Sequence, residues 1–182
     1  MTDLNIAQHH TIWLRVQPGL ETDLSKIVEE LTRPTDSPSF VPHITLLGDI
    51  HGPPAQTVEV CRDALKATDC IAGRIKSLAR GDAFFMSLFL DVTLPETVYS
   101  LREYVTHELG VHASQPYRPH ISLAYGQDGK NVSPKQAATI EKKLVGKPFT
   151  IATLSVVASA KSVPIEEWRS LIDLQISEIR NS

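Results

Sequence analysis

Two histidines in this sequence are each followed, two positions later, by a residue with a hydroxyl group. Thr45 follows His43, and Ser122 follows His120. An imidazole with its ordinary pKa of about 6.5 can take up or release a proton near neutral pH, and a hydroxyl can donate to an anionic oxygen. Two such pairs could therefore supply the base, the acid and the two hydrogen-bond donors that hydrolysis of a phosphodiester requires.

The residues around the two histidines repeat as well. Residues 40–48 and 117–126 both read aromatic, any residue, Pro, His, Ile, hydroxyl residue, Leu, with Gly shortly after. The proline disfavours a helix upstream, and the branched and aliphatic residues that follow favour a strand. In a strand the histidine and the hydroxyl share one face, roughly 7 Å apart, with the apolar residues behind. One copy would more simply be the polar face of a half-buried edge strand, but two copies with the same flanks favour a shared site.

The duplicated motif resembles the two-histidine (2H) phosphoesterase superfamily, which carries H-x-T or H-x-S once in each half of the chain. The wider match is to the plant-type cyclic phosphodiesterases, which act on ADP-ribose 1″,2″-cyclic phosphate and nucleoside 2′,3′-cyclic phosphates. The resemblance spans nearly the whole chain and lies in Trp13, residues 40–46, residues 81–90, residues 115–125 and Trp168.

The resemblance implies an α+β fold with two lobes and a single catalytic domain over residues 1–182. Each lobe would have a mainly antiparallel sheet with helices outside, and a pseudo-twofold axis would place the active-site cleft between the sheets. The interleaved strands and helices alone also permit a parallel, doubly wound sheet, but the internal repeat favours two similar halves. Helices are predicted over residues 21–31, 54–67, 95–109 and 134–145. Strands are predicted over residues 9–16, 43–50, 71–78, 84–92, 149–160 and 168–177, and a further strand begins at residue 120.

In this interpretation His43 and His120 are the catalytic acid–base pair, and Thr45 and Ser122 bind the phosphate. A five-membered cyclic phosphate is strained, so the reaction is expected to need no metal and no cofactor. The sequence leaves open which histidine is the base. The aromatic-rich strand 84–92 is expected to pack in the core, and one of its rings could reach the ligand.

Trp13 and Tyr125 are the expected substrate-binding residues, by resemblance to the family. Alternation along strand 9–16 puts Trp13 on the polar face, where it could cover an apolar rim or form a flat wall for a base or ribose. Strict alternation would turn Tyr125 away from the cleft. We therefore expect a bulge or a strand end near Ala124.

Composition limits the partners. The 182 residues are 42% hydrophobic with a formal net charge of −3, which fits one globular domain and argues against a broad nucleic-acid surface. A small cyclic-phosphate nucleotide remains possible because it needs only local positive charge, for which Arg118 and Lys76 are candidates, although a solvated surface charge is the simpler interpretation of each. Cys61 and Cys70 are too few for a disulfide framework, and no signal or membrane-spanning pattern is evident. We expect a cytoplasmic monomer with no membrane contact.

Three other motifs are weaker. Residues 48–52 match the opening motif of metal-dependent phosphoesterases, but the further ligand motifs are missing from the sequence. Residues 107–112 resemble a zinc-protease helix with the second histidine one place too late and Gly110 ending the helix. His9 and His10 are adjacent on a strand and point opposite ways. The alternatives are an RNA 2′,3′-cyclic phosphodiesterase acting on RNA ends, a nucleotide-binding module without turnover, and a di-metal phosphoesterase.

Overall fold

A computed structural model describes residues 4–68, 70–112 and 116–179. Within these residues seven strands and six helices alternate in nearly the predicted order. The strands are β1 (Gln8–Val16), β2 (Ile44–Gly52), β3 (Ala72–Arg80), β4 (Leu88–Thr93), β5 (His120–Ala124), β6 (Pro148–Ala158) and β7 (Arg169–Gln175). The helices are α1 (Pro18–Thr32), α2 (Pro54–Lys66), α3 (Glu96–Glu108), α4 (Gly126–Asn131), α5 (Pro134–Leu144) and α6 (Ile176–Ile179).

Every strand pairing within these residues is antiparallel, which confirms the α+β prediction and rules out the parallel alternative. The strands follow the path β2-β1-β6-β3-β4-β5, and β7 pairs with β6 outside that path. One half is formed by β1, β2, β6 and β7, and the other by β3, β4 and β5 with the start of β6. The long strand β6 belongs to both, because its first three residues pair with β3 and the rest pair with β1 and β7.

The two motif strands hold equivalent places in the two halves. β2 and β5 are the two ends of the strand path, and they contact each other across the middle of the molecule. Each hydroxyl residue faces an aromatic residue on the neighbouring strand, because Thr45 pairs with Trp13 and Ser122 pairs with Phe89. This equivalence brings residues far apart in sequence to one cleft.

The helices hold the strands in place through apolar stripes at helical spacing. Buried residues on α1, α2, α3 and α5 pack on the sheets, and each fully buried aliphatic side chain contributes about 1.5–3 kcal/mol relative to an exposed one. Helix α5 begins with a capping box in which Ser133 and Gln136 satisfy each other's backbone groups. The best-buried residues of these stripes are Leu24, Val28, Val58, Leu65, Val98, Val105 and Leu144.

The structure differs from the sequence prediction on both sides of the cleft. The segment Phe84–Met86 is a 3-10 turn and not the start of a strand, so β4 begins only at Leu88. The short helix α4 was not predicted. It follows β5 through Gly126, whose φ of 50° favours glycine, and it packs so closely on the turn that a Cβ at Gly129 would collide with Ser87.

None of the helices among the described residues is long and apolar enough to cross a membrane. Helix α3 ends at Glu108 and Gly110 has a φ of 63°, so His107 and His112 do not share a helix, as predicted. Cys61 is buried and Cys70 is exposed, and neither forms a disulfide within the part of the chain described.

Candidate active site

One cleft contains all six residues that the sequence singled out. A cavity of about 290 Å³ is lined by both histidines, by both hydroxyl residues and by the two aromatic candidates. Its volume is near the lower end of the range for small-molecule sites. The six residues are Trp13, His43, Thr45, His120, Ser122 and Tyr125.

The imidazole of His43 is fixed by a backbone hydrogen bond and by a stacked ring. Its Nδ1 lies 2.7 Å from the carbonyl oxygen of Val41. A carbonyl can only accept, so Nδ1 carries a proton and Nε2 is the nitrogen left for the cleft. The indole of Trp13 covers one face of the ring. Burial lowers the pKa of His43 to about 4, and the charges of His120 and Arg15 act in the same direction while the Val41 carbonyl opposes them.

His120 is held in the equivalent way. Its Nδ1 lies 2.9 Å from the carbonyl oxygen of Arg118, two residues upstream, so Nε2 is again free. Its aromatic neighbour is Phe89, which meets the imidazole edge to face at 5.4 Å. Burial lowers the pKa of His120, whereas the Arg118 carbonyl and the negative charge of Asp91 favour the protonated form. The two imidazoles therefore have the same tautomer in different electrostatic surroundings.

The two hydroxyl groups are not in the same state. The side-chain hydroxyl of Thr45 makes no hydrogen bond with any described residue, so it can donate to a ligand directly. Ser122 donates to the carbonyl oxygen of Phe85 at 2.7 Å. Its hydroxyl must rotate away from Phe85 before it can bind a phosphate.

Tyr125 reaches the cleft because the strand ends before it. β5 stops at Ala124, and the pairing of β4 with β5 slips by one residue near Leu123. This confirms the prediction of a bulge or strand end. The ring stacks on Phe40 at 4.0 Å, and burial raises the pKa of the phenol.

Trp13 is more enclosed than expected. The indole lies on the face of its strand that was predicted to be polar, but it is only 5% exposed. The imidazole of His43 stacks on it, and the ring of Trp168 meets it at 5.8 Å. One of its two faces is occupied by His43 and is not open to a base. The more accessible aromatic wall is formed by Phe85 and Trp168, whose rings lie 5.9 Å apart.

Several residues that line the cavity lie outside the two histidine motifs. Lys161 is the one Lys or Arg among the described residues that line this cavity, and it lies 3.6 Å from Asp49. Lys161 was not predicted from sequence, and Asp49 was considered only as part of the 48–52 motif, because the two residues meet only when the loop after β6 folds over β2. Of the two predicted cations, Lys76 is not part of the lining, and Arg118 forms a bidentate pair with Asp91 beside the cleft.

No three His, Cys, Asp or Glu side chains of the described residues come together as a metal site. In the 48–52 motif, Asp49 faces Lys161 whereas His51 lies against His9 on the neighbouring strand, with ring centroids 4.7 Å apart. The two potential ligands of that motif therefore have different neighbours.

The chain is similar to known proteins over most of its length. A family model described as "Cyclic phosphodiesterase-like protein" matches residues 7–176. The chain is 21% identical over 166 residues to the cyclic phosphodiesterase of Arabidopsis thaliana, covering 89% of this chain and 92% of that protein.

Solved structures show a similar fold at low sequence identity. TT0787 of Thermus thermophilus has a TM-score of 0.62 at 14% identity, covering 93% of this chain and 98% of that one. E. coli LigT in complex with 3′-AMP has a TM-score of 0.57 at 10% identity, with 93% and 98% coverage. Both have the 2H phosphoesterase fold.

Proposed function

Because the chain belongs to the cyclic phosphodiesterase-like family of the 2H phosphoesterases, we propose that it hydrolyses a ribose cyclic phosphate without a metal. The substrates would be ADP-ribose 1″,2″-cyclic phosphate, nucleoside 2′,3′-cyclic phosphates or both, and the nucleoside product would be the 2′-phosphate. The observation that carries this proposal is the shared cleft. Two imidazoles, His43 and His120, line one small cavity with their Nδ1 atoms tied to the backbone and their Nε2 atoms free.

His43 is the better candidate for the base and His120 for the acid. The pKa of His43, lowered to about 4 by burial, keeps this ring neutral. Burial lowers the pKa of His120 as well, but there the negative charge of Asp91 favours the protonated form. In the proposed step Nε2 of His43 takes a proton from the attacking water, a new P–O bond forms, and the ring P–O bond opposite it breaks. Nε2 of His120 then gives its proton to the departing oxygen.

The other polar groups of the cleft would stabilise the charge on phosphorus. The hydroxyl of Thr45 can donate to a non-bridging oxygen without breaking an existing hydrogen bond. Ser122 would do so after rotating away from the Phe85 carbonyl. Lys161 is exposed, and the ionic contact of its ammonium within the described part of the chain is the one with Asp49 at 3.6 Å, so the ammonium can move toward an anion in the cavity.

The aromatic side of the cleft is suited to a base or ribose. Trp168, Phe85 and Tyr125 lie together on this side, and a base can stack on any open aromatic face. The structural neighbour LigT binds 3′-AMP, which supports a mononucleotide-sized ligand. We propose a monomer in the cytoplasm, and the free cysteines fit such a reducing compartment.

The test is turnover of ADP-ribose 1″,2″-cyclic phosphate against a panel of nucleoside 2′,3′-cyclic phosphates, with the position of the product phosphate determined by phosphorus NMR. We expect ring opening in the presence of a chelator. H43A and H120A should each lose several orders of magnitude in kcat, while H107A, at an 86% exposed side chain, should not. Loss of activity with chelator would indicate a metal enzyme. Tight binding without turnover would indicate a nucleotide-binding module, and a strong preference for RNA ends would indicate the RNA 2′,3′-cyclic phosphodiesterase.

A further inference from the structure

A second cavity, of about 450 Å³, opens beside the cleft. It shares Thr45, His120 and Lys161 with the cleft, so the two spaces are continuous around the reaction centre. We call it the basic cavity, because beyond the shared residues it is lined by the basic side chains Arg102, His112 and Arg118.

Arg102 is held by a hydrogen bond and by a ring contact, and it has no counter-ion among the residues that the structure describes. Its Nε donates to the carbonyl oxygen of Leu46 at 3.0 Å, and its guanidinium lies over the ring of Tyr117 at 4.7 Å. No carboxylate of the described residues forms a salt bridge with it, and its Nη1 and Nη2 have no hydrogen-bond partner among those residues. A half-buried guanidinium with both terminal nitrogens free matches the fork geometry that binds phosphate.

The remaining charges leave the basic cavity positive. The charge of Arg118 is balanced by Asp91 through two hydrogen bonds of 2.8 and 2.7 Å. Asp49 is the one carboxylate among the residues that line the basic cavity, and it lies beside Lys161. Arg102 therefore adds a positive charge that no acidic group of the described lining offsets.

We propose that the basic cavity binds a second phosphate group of the substrate, carried by the same molecule as the cyclic phosphate at His43 and His120. This inference rests on the proposed function of the cleft. It narrows the substrate class to ribose cyclic phosphates that bear a further phosphate. That group could be the diphosphate of an ADP-ribose derivative or a phosphodiester of a short nucleotide chain.

The test uses two substrates that differ only in the second phosphate. Adenosine 2′,3′-cyclic phosphate and its 5′-phosphorylated derivative are compared through the ratio of their kcat/KM values. We expect the wild-type protein to prefer the 5′-phosphorylated compound by about tenfold or more, as a charge-assisted contact allows. Equal kcat/KM values would overturn the proposal.

Arg102 is then changed to test whether it supplies this preference. In R102Q the ratio should fall to near one. R102K should give an intermediate value, because lysine keeps the positive charge but cannot form the two parallel hydrogen bonds of a guanidinium. R62Q is the matched control, since Arg62 is an exposed arginine that lines neither cavity, and it should keep the wild-type ratio. A wild-type ratio in folded R102Q would overturn the proposal.

Two further measurements identify the source of the second phosphate and test its binding separately from catalysis. ADP-ribose 1″,2″-cyclic phosphate and a dinucleotide ending in a 2′,3′-cyclic phosphate distinguish the two sources of the second phosphate. Calorimetric binding of adenosine 2′,5′-bisphosphate and adenosine 2′-phosphate tests the basic cavity without turnover. If no substrate is hydrolysed but the bisphosphate binds more tightly and loses this advantage in R102Q, the catalytic proposal fails and this inference stands. If the two compounds bind wild-type protein equally, this inference fails.

Discussion

The indole of Trp13 lies flat on the imidazole of His43, with ring centroids 3.6 Å apart and an interplanar angle of 4°. The stack removes water from one face of the imidazole, while the Val41 carbonyl fixes the ring from its edge. Because Trp13 also pairs with Thr45 across β1 and β2, one residue sets the position of both polar groups of the first motif.

Replacement of Trp13 by Ala should raise the pKa of His43. Burial is the main cause of the low pKa, and water would enter the space that the indole leaves. The ring would also lose its alignment, so kcat should fall by about tenfold or more. An NMR titration of the His43 ring protons measures the shift, and W13F should lie between wild type and W13A. An unchanged His43 pKa in folded W13A would show that other groups exclude the water.

The dependence of kcat/KM on pH should be bell-shaped with its maximum on the acidic side of neutrality. In the free protein the base, His43, has a pKa of about 4 and is neutral at any higher pH. The acid, His120, has a pKa below the ordinary histidine value, so it loses its proton before the pH reaches that value. A bound anionic substrate favours both protonated forms, so the profile of kcat should move to higher pH. Steady-state assays in buffers of constant ionic strength measure the pH profiles of kcat/KM and of kcat.

The alkaline limb of that profile should depend on Asp91. Its negative charge raises the pKa of His120, so D91N should lower this pKa and move the alkaline limb to lower pH. D63N is the control, because Asp63 is an exposed acid on α2 that pairs with Lys66. If D91N instead shifts the acidic limb, the assignment of His120 as the acid is reversed.

The stability of the protein should fall in mild acid because His43 is kept neutral. Its pKa is lowered on folding, so the unfolded chain binds a proton first, and stability is lost as the pH drops from about 6.5 toward 4. Denaturant unfolding at several pH values measures this loss. The loss over this range should be smaller in H43Q, whose side chain does not titrate, than in the exposed-site variant H107Q.

The two hydroxyl residues should respond differently to removal. T45A takes away a hydroxyl that has no hydrogen-bond partner among the described residues, so kcat should fall by about 10²–10³-fold with little change in stability. S122A also leaves the buried Phe85 carbonyl without its hydrogen-bond donor, so it should lose about 1–2 kcal/mol of stability as well. Steady-state kinetics on both variants measure the loss of kcat, and thermal unfolding measures the loss of stability. Equal melting temperatures for T45A and S122A would contradict the predicted loss of stability in S122A.

Sequence predicted the parts of the site that depend on local pattern. The repeated motif indicated that His43, Thr45, His120 and Ser122 share one cleft, although β2 begins only at Ile44, directly after His43. The irregularity before Tyr125 was expected from the family resemblance, because alternation alone turns this residue away from the cleft. Lys161 was missed because its place depends on how a loop folds over another strand, which no local spacing encodes.

The turn at residues 84–86 was missed for a different reason. Phe84 and Phe85 have high strand propensity, but tertiary contacts override it. The Phe85 carbonyl accepts the Ser122 hydroxyl, and its ring packs near Trp168. Helix α4 is only six residues long and rich in glycine and polar residues, so it has no apolar stripe that periodicity could detect.

The sharing of β6 by the two halves has a mechanical consequence for ligand entry. Two bodies joined by a loose linker could swing apart, but here an 11-residue strand carries main-chain hydrogen bonds to both. Widening the gap between the imidazoles would require bending that strand or breaking its hydrogen bonds with β3. We therefore expect substrate to enter through movement of side chains and of the loop that carries Lys161, and the spacing of the imidazoles to be nearly the same in the empty and occupied protein.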